Sequence, residues 1–152
     1  MDDAYGHHTA PVTPPADAIA QVNGFIQRFG TTVGAELDAL DDTGFAEMRC
    51  GPLSIGLNTN LEHGTLLLLS RVGDLPTDPT PDFYRRLLSL NLLATGQCAF
   101  AIDESRHKLY LRAMRPLHGF SYEEFETLLH NLAAVTERML QTLQGSEIMS
   151  GL

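Results

Sequence analysis

Basic residues are scarce in this sequence. Lys and Arg number 10 against 19 Asp and Glu, a formal charge of −9 over 152 residues. That balance repels phosphate backbones and anionic lipid surfaces, so neither nucleic acid nor membrane is expected as a partner. Long hydrophobic runs are missing too. Leu66-Leu67-Leu68-Leu69 is the densest, far short of the roughly 20 residues of a membrane span, and turn signals flank it. The start Met1-Asp2-Asp3 lacks the basic residues and apolar stretch of a secretory signal, so a cytoplasmic protein is expected. Cysteine occurs only at Cys50 and Cys98, both in strand-like contexts. In a reducing compartment they read as two buried small hydrophobes, and a disulfide between them stays open.

Chemistry-bearing motifs are equally thin. There is no Walker A loop, no paired-glycine dinucleotide turn and no Gly-x-Ser-x-Gly elbow. No cysteine pair has zinc spacing, and no histidine pair stands at helical i, i+4. His7-His8 is the only histidine cluster, and it falls in an aperiodic tail. Cys98 and His107 could face each other across a hairpin as thiol and base. Cys98 shares the alternation of Phe100 and Ile102, however, which predicts a buried, protonated and inert thiol. Asp41-Asp42 reads as a solvated loop and Glu123-Glu124 as helix capping. The expectation is a protein without catalytic residues, cofactor or metal.

What remains has the size and composition of one globular domain, 43% hydrophobic and 19% charged. Residues 1–16 carry three Pro and no apolar period and read as a disordered tail; 17–143 form the domain; 144–152 form a flexible C-terminal tail. Asp17 can cap a helix to about Phe29, with Ala18, Ile19, Val22, Phe25, Ile26 and Phe29 on one face and Gly30 and Gly34 ending it. Strands follow over Phe45 to Cys50 and Leu53 to Leu57, then a loop over Asn58 to Gly64, then a strand from Thr65 to Val72 that is apolar at both parities. Both faces of that strand need covering, by the chain or by a partner. Thr80 and Pro81 open a second helix running to about Thr95. It has two apolar stripes: Phe83, Leu87, Leu90 and Ala94 form one, and Tyr84, Leu88 and Leu92 the other. A strand from Gln97 to Asp103 turns at Glu104-Ser105-Arg106 into a partner from Lys108 to Met114. Ser121-Tyr122-Glu123-Glu124 is a capping box, with Phe120 and Phe125 as hydrophobic staple, for a last helix to about Leu143.

The order α-β-β-β-α-β-β-α predicts an α+β domain, a twisted antiparallel sheet with three helices. Its surplus apolar surface argues for self-association and partner binding. The run Phe83-Tyr84-Arg85-Arg86-Leu87-Leu88-Ser89-Leu90-Asn91-Leu92-Leu93 comes first. It is followed by Thr95-Gly96, Ala99-Phe100-Ala101-Ile102-Asp103, Leu109-Tyr110-Leu111, Pro116-Leu117 and the capped last helix. In this pattern and order the sequence resembles the class I type III secretion chaperones, the Tir chaperone family. The likeness implies a bacterial homodimer joined largely through the middle helix. It implies an ATP-independent binder of an extended segment near the N-terminus of a secreted effector, with the ATPase of the secretion apparatus as a further partner. Effector contact is expected at Val22, Phe25, Ile26, Phe29, Leu53, Ile55, Leu57, Leu67 and Leu69, and dimer contact at Tyr84, Leu88, Leu92, Ala99 and Ala101. The alternative is a regulatory or accessory binding module of the same fold, acting outside secretion.

Overall fold

The computed structural model describes residues 15–144, so nearly all of both expected tails lies outside the described residues. Helix α1 spans Pro15–Val33, and strands β1, β2 and β3 span Phe45–Cys50, Leu53–Asn60 and Thr65–Asp74. Helix α2 (Pro81–Leu93), strands β4 (Ala99–Asp103) and β5 (Lys108–Pro116), and helix α3 (Tyr122–Gln144) follow. The element order is the expected one.

Helix α1 is longer than expected at both ends. Proline fits the first helical turn, where its missing N–H would be unpaired anyway, so the helix opens at Pro15 and not at Asp17. It also runs through Gly30. The Ala35 N–H bonds the Gly30 carbonyl at 2.9 Å and the Gly34 N–H bonds the Thr31 carbonyl at 3.4 Å, a Schellman closure with Gly34 at φ 73°. Gly30 is needed for a different reason. A side chain there would place its Cβ 2.6 Å from the Ala35 carbonyl oxygen. Strand β2 likewise runs past Leu57 to Asn60, because the Thr59 N–H reaches the Gly44 carbonyl at 2.8 Å and prolongs the β1 ladder.

All five strands pair antiparallel in the order β1-β2-β3-β5-β4, which leaves β1 and β4 as edges. Alternation sends Ala46, Met48, Leu53, Ile55, Leu57, Leu66, Leu68, Leu109, Leu111 and Ala113 into one core with the inward faces of the helices. Within it the Phe25 ring meets Phe120, Tyr122 and Phe125 at centroid distances of 5.9, 6.2 and 5.1 Å, locking α1 against the start of α3. The caps expected of the second and third helices form, whereas Asp17 lies inside the first turn of α1. Thr80 Oγ1 accepts from the Phe83 N–H at 3.2 Å. Ser121 Oγ accepts from the Glu124 N–H at 3.1 Å, while Glu124 Oε1 accepts from the Ser121 N–H at 2.9 Å.

Candidate protein-binding surfaces

The expected effector residues divide sharply. Val22, Phe25, Ile26, Phe29, Leu53, Ile55 and Leu57 are all buried in the chain's own core. These side chains of the first helix and of β2 complete the core, and of them only Ile26, at 2% exposure, reaches the floor of a hollow, the one between α1 and residues 35–39. Leu67 and Leu69 stay half-exposed, because β3 carries apolar residues at both parities and only Leu66 and Leu68 are covered by helices.

Leu67 and Leu69 belong to an open sheet face whose composition follows from strand register. Phe45, Asn58, Leu67 and Met114 form one row across the sheet, and Glu47, Gly56, Leu69, Arg112 and Ala99 form the next. Arg71, Tyr110 and Ala101 continue a third. Phe45 is 38% and Met114 46% exposed, large apolar groups without a covering layer. Gly56 raises no side chain, and the Phe45 ring leans over it: a Cβ there would lie 3.1 Å from the ring. The result is a depression of about 410 Å³ walled by Phe45, Leu69 and Tyr110 and rimmed by Arg49, Arg71 and Arg106. Phe45, Met114 and Tyr110 were not singled out from sequence, although strand alternation opposite the core parity marks all three.

The two sheet edges differ. At β4 the Phe100 N–H donates to Asn91 Oδ1 at 2.7 Å, so helix α2 occupies part of that edge. At β1, Phe45 exchanges outward bonds with the Asp41 turn: its N–H goes to Asp41 Oδ1 at 3.0 Å and its carbonyl accepts from the Asp41 N–H at 2.8 Å. Antiparallel alternation then points the backbone groups of Glu47 and Arg49 outward as well, where no strand of the described residues pairs with them. Three hydrogen bonds from Thr43 and Phe45 hold the Asp41 carboxyl below its usual pKa, the Thr43 hydroxyl contributing most.

Helix α2 buries Phe83, Leu87 and Leu90 and leaves the second stripe outside. Tyr84 is partly exposed, Leu88 and Leu92 are more than two-thirds exposed, and Leu93, not singled out from sequence, is more exposed still. A shallow hollow of about 190 Å³ between Tyr84, Leu88, Phe100 and Ala101 continues this strip onto β4. Ala99 and Ala101 are half-buried small residues on the open face beside it.

Nothing in these surfaces assembles a reaction centre. Cys98 and His107 lie at opposite ends of the β4–β5 hairpin, since Ala99 pairs with Arg112 and Asp103 with Lys108. Both cysteines are free thiols, and burial pushes the pKa of each upward. Among the described residues no three His, Cys, Asp or Glu side chains converge to hold a metal ion, and no helix is long and apolar enough to cross a membrane.

Comparison with known proteins bears on the whole of this arrangement. A family model, Tir chaperone protein (CesT) family, matches residues 24–140. No curated protein sequence matches the chain. The fold resembles a chain of the ExsC–ExsE complex at 25% identity, covering 81% of this chain and 93% of that one, with a TM-score of 0.68. A chain of the HopA1–SchA chaperone–effector complex shares the fold at 16% identity, 82% and 96% coverage and a TM-score of 0.66. So does a chain of the complex between the Yersinia pestis type III secretion chaperone SycH and a fragment of YscM2, at 18% identity, 76% and 97% coverage and a TM-score of 0.57.

Proposed function

The chain belongs to the Tir chaperone protein (CesT) family, and from that membership we propose that it is a type III secretion chaperone, working as a cytoplasmic homodimer in a bacterium. It binds an extended N-terminal segment of a secreted effector and keeps that client soluble and competent for export. No catalysis, cofactor or ATP is involved, because occupancy of the client's apolar segment is enough to hold it unfolded. The ATPase of the secretion apparatus is its downstream partner.

One observation carries the reading: apolar side chains of β1, β3 and β5 stand exposed or half-exposed on a sheet whose β1 edge has backbone groups that no described strand pairs. An extended segment can pair with that edge and set side chains beside Phe45, and the client chain beyond that strand can cross the open face over Leu67, Leu69 and Met114. Each fully buried Leu- or Phe-sized anchor contributes roughly 1.5–3 kcal/mol, so a few suffice after ordering costs. The exposed stripe of α2, with Ala99 and Ala101 permitting close approach, supplies the dimer contact.

The test is to tag the full chain in the bacterium that carries it and identify what co-purifies with ATP depleted. A secreted protein protected from protease over a segment near its N-terminus is expected. Recovery of only non-secreted partners would overturn the proposal in favour of a regulatory module of the same fold.

A further inference from the structure

Four of the chain's ten cations, Arg49, Arg71, Arg106 and Arg112, gather on the open sheet face of a molecule whose formal charge is −9. Two of them are locally balanced. Arg71 pairs with Asp74 at 3.1 Å and Arg106 lies 3.8 Å from Asp103. Among the described residues no carboxylate stands within ion-pair distance of Arg49 or Arg112. Arg49 is exposed, and it sits on the strand whose outer edge is open.

Two positions before it on the same strand and face is Glu47, whose carboxylate accepts from the Ser54 hydroxyl of the neighbouring strand β2. The backbone groups of the same two residues point outward. A strand added to this edge therefore places two of its own residues, at i and i+2, directly opposite Glu47 and Arg49 on the open face. Directly opposed side chains across an antiparallel pair have Cβ atoms roughly 4.5–5.5 Å apart, close enough for ion pairs and for like-charge repulsion.

We propose that Arg49 and Glu47 form a two-residue charge reader for the client strand. The client residue opposite Arg49 is Asp or Glu, and the one opposite Glu47, two positions away, is Lys or Arg or at least not acidic. This rests on the chaperone reading and adds to it a sequence rule for the client. An extended polypeptide is the occupant, since a single opposed cation and anion at strand spacing matches alternate side chains. A polyanion would meet Glu47 and the chain's overall negative charge. Arginine suits the role because its planar fork grips one carboxylate with two parallel bonds. Apolar burial then supplies affinity while the charge pair supplies register: a strand slipped by two residues sets like charges face to face.

The experiment uses the full chain and a display library of random peptides about 15 residues long, ample for one extended strand. Selection runs in parallel on the parent and on the charge-swapped variant Glu47→Arg/Arg49→Glu. Both positions are exposed and outside the core, so the variant's unfolding transition is expected to match the parent's. Parent-selected peptides should carry an acid and a base two residues apart. Acid-x-base marks an antiparallel client and base-x-acid a parallel one. The swapped variant should select the reverse order and bind parent-selected peptides about tenfold or more weakly, the scale of a charge-assisted hydrogen bond. Peptides selected without such a pair, or bound equally by both forms, would overturn the charge reader and leave the chaperone reading standing. Selection of no peptide by either form would overturn both.

Discussion

Leu88 offers the sharpest test of self-association, because it is 69% exposed on α2 while its neighbour Leu87 is buried. Full burial of a leucine contributes roughly 1.5–3 kcal/mol, so the exposed part of Leu88 still has about 1–2 kcal/mol to gain in each protomer. A two-fold interface counts every contact twice. Leu88→Ala keeps only the β-carbon and should weaken a dimer by about 2–3 kcal/mol, which raises its Kd roughly 30- to 150-fold. Leu88→Asp goes further, since an unpaired carboxylate in an apolar contact costs several kcal/mol per copy. Sedimentation over a concentration series reads this directly. The parent should be dimeric at micromolar concentration, the alanine variant should shift its midpoint by that factor, and the aspartate variant should be monomeric with its helical content intact. Leu87→Ala is the contrasting control: it should lower unfolding stability by about 2–5 kcal/mol through a core cavity. A parent that sediments as a monomer, or a Leu88→Asp variant that remains dimeric, would refute the assignment of this stripe.

Two further outcomes concern the fold itself. Thr136 Oγ1 lies 2.9 Å from Ser70 Oγ and 2.7 Å from the Leu132 carbonyl, all buried between α3 and β3; Thr136→Val should cost about 1–3 kcal/mol in urea unfolding by leaving the Ser70 hydroxyl unpaired, and adding Ser70→Ala should recover part of that loss. The Asp41 carboxyl is held below its ordinary value of 3.8 by hydrogen bonds from Thr43 and Phe45. Its contribution is therefore present above that pH and lost as pH falls through the lowered folded value, so Asp41→Asn should flatten the acid limb of a plot of Tm against pH. An unchanged acid limb would show that the turn does not depend on this charge.

Local signals were legible in the sequence wherever one residue decides them. Thr80, Ser121 and Glu124 form the caps their spacing predicts, and the alternation of Leu53, Ile55 and Leu57 marks a strand with one apolar face, although that face is core and not the effector contact expected of it. Legibility ended where two solutions satisfy the same pattern. Residues Leu66 to Leu69 are apolar at both parities, and only the pairing of β3 with both β2 and β5 makes Leu66 and Leu68 the buried pair. Helix α1 shows the same ambiguity in another form. Its Phe-rich face fits a client groove as well as a core, and the ring cluster of Phe25 with Phe120, Tyr122 and Phe125 shows which contact the chain makes for itself. Gly30 resembles a helix stop, but a stop depends on which residue takes positive φ, and that residue is Gly34. The β1 edge was invisible for a different reason. Strand order β1-β2-β3-β5-β4 is a tertiary property, set by where β5 inserts and not by any local signal.

That strand order also sets the relation between the two surfaces. The α2 stripe and β4 lie at one end of the sheet and the β1 edge at the other, four interstrand steps away. At roughly 4.8 Å per step the two edges stand about 19 Å apart, so the proposed dimer contact and the proposed client edge share no strand. A two-fold dimer formed through α2 would carry two such edges, and with both at its outer ends they would stand about twice that distance apart or more. An extended chain covers at most roughly 3.3–3.6 Å per residue, so a client needs more than about a dozen residues between two bound strands to engage both. Once the first strand is seated, the second binds at the high effective concentration set by that linker. On the proposed reading, dimerisation would strengthen client binding without adding a contact to either site. The exposed leucines of α2 would then act on a client through geometry alone.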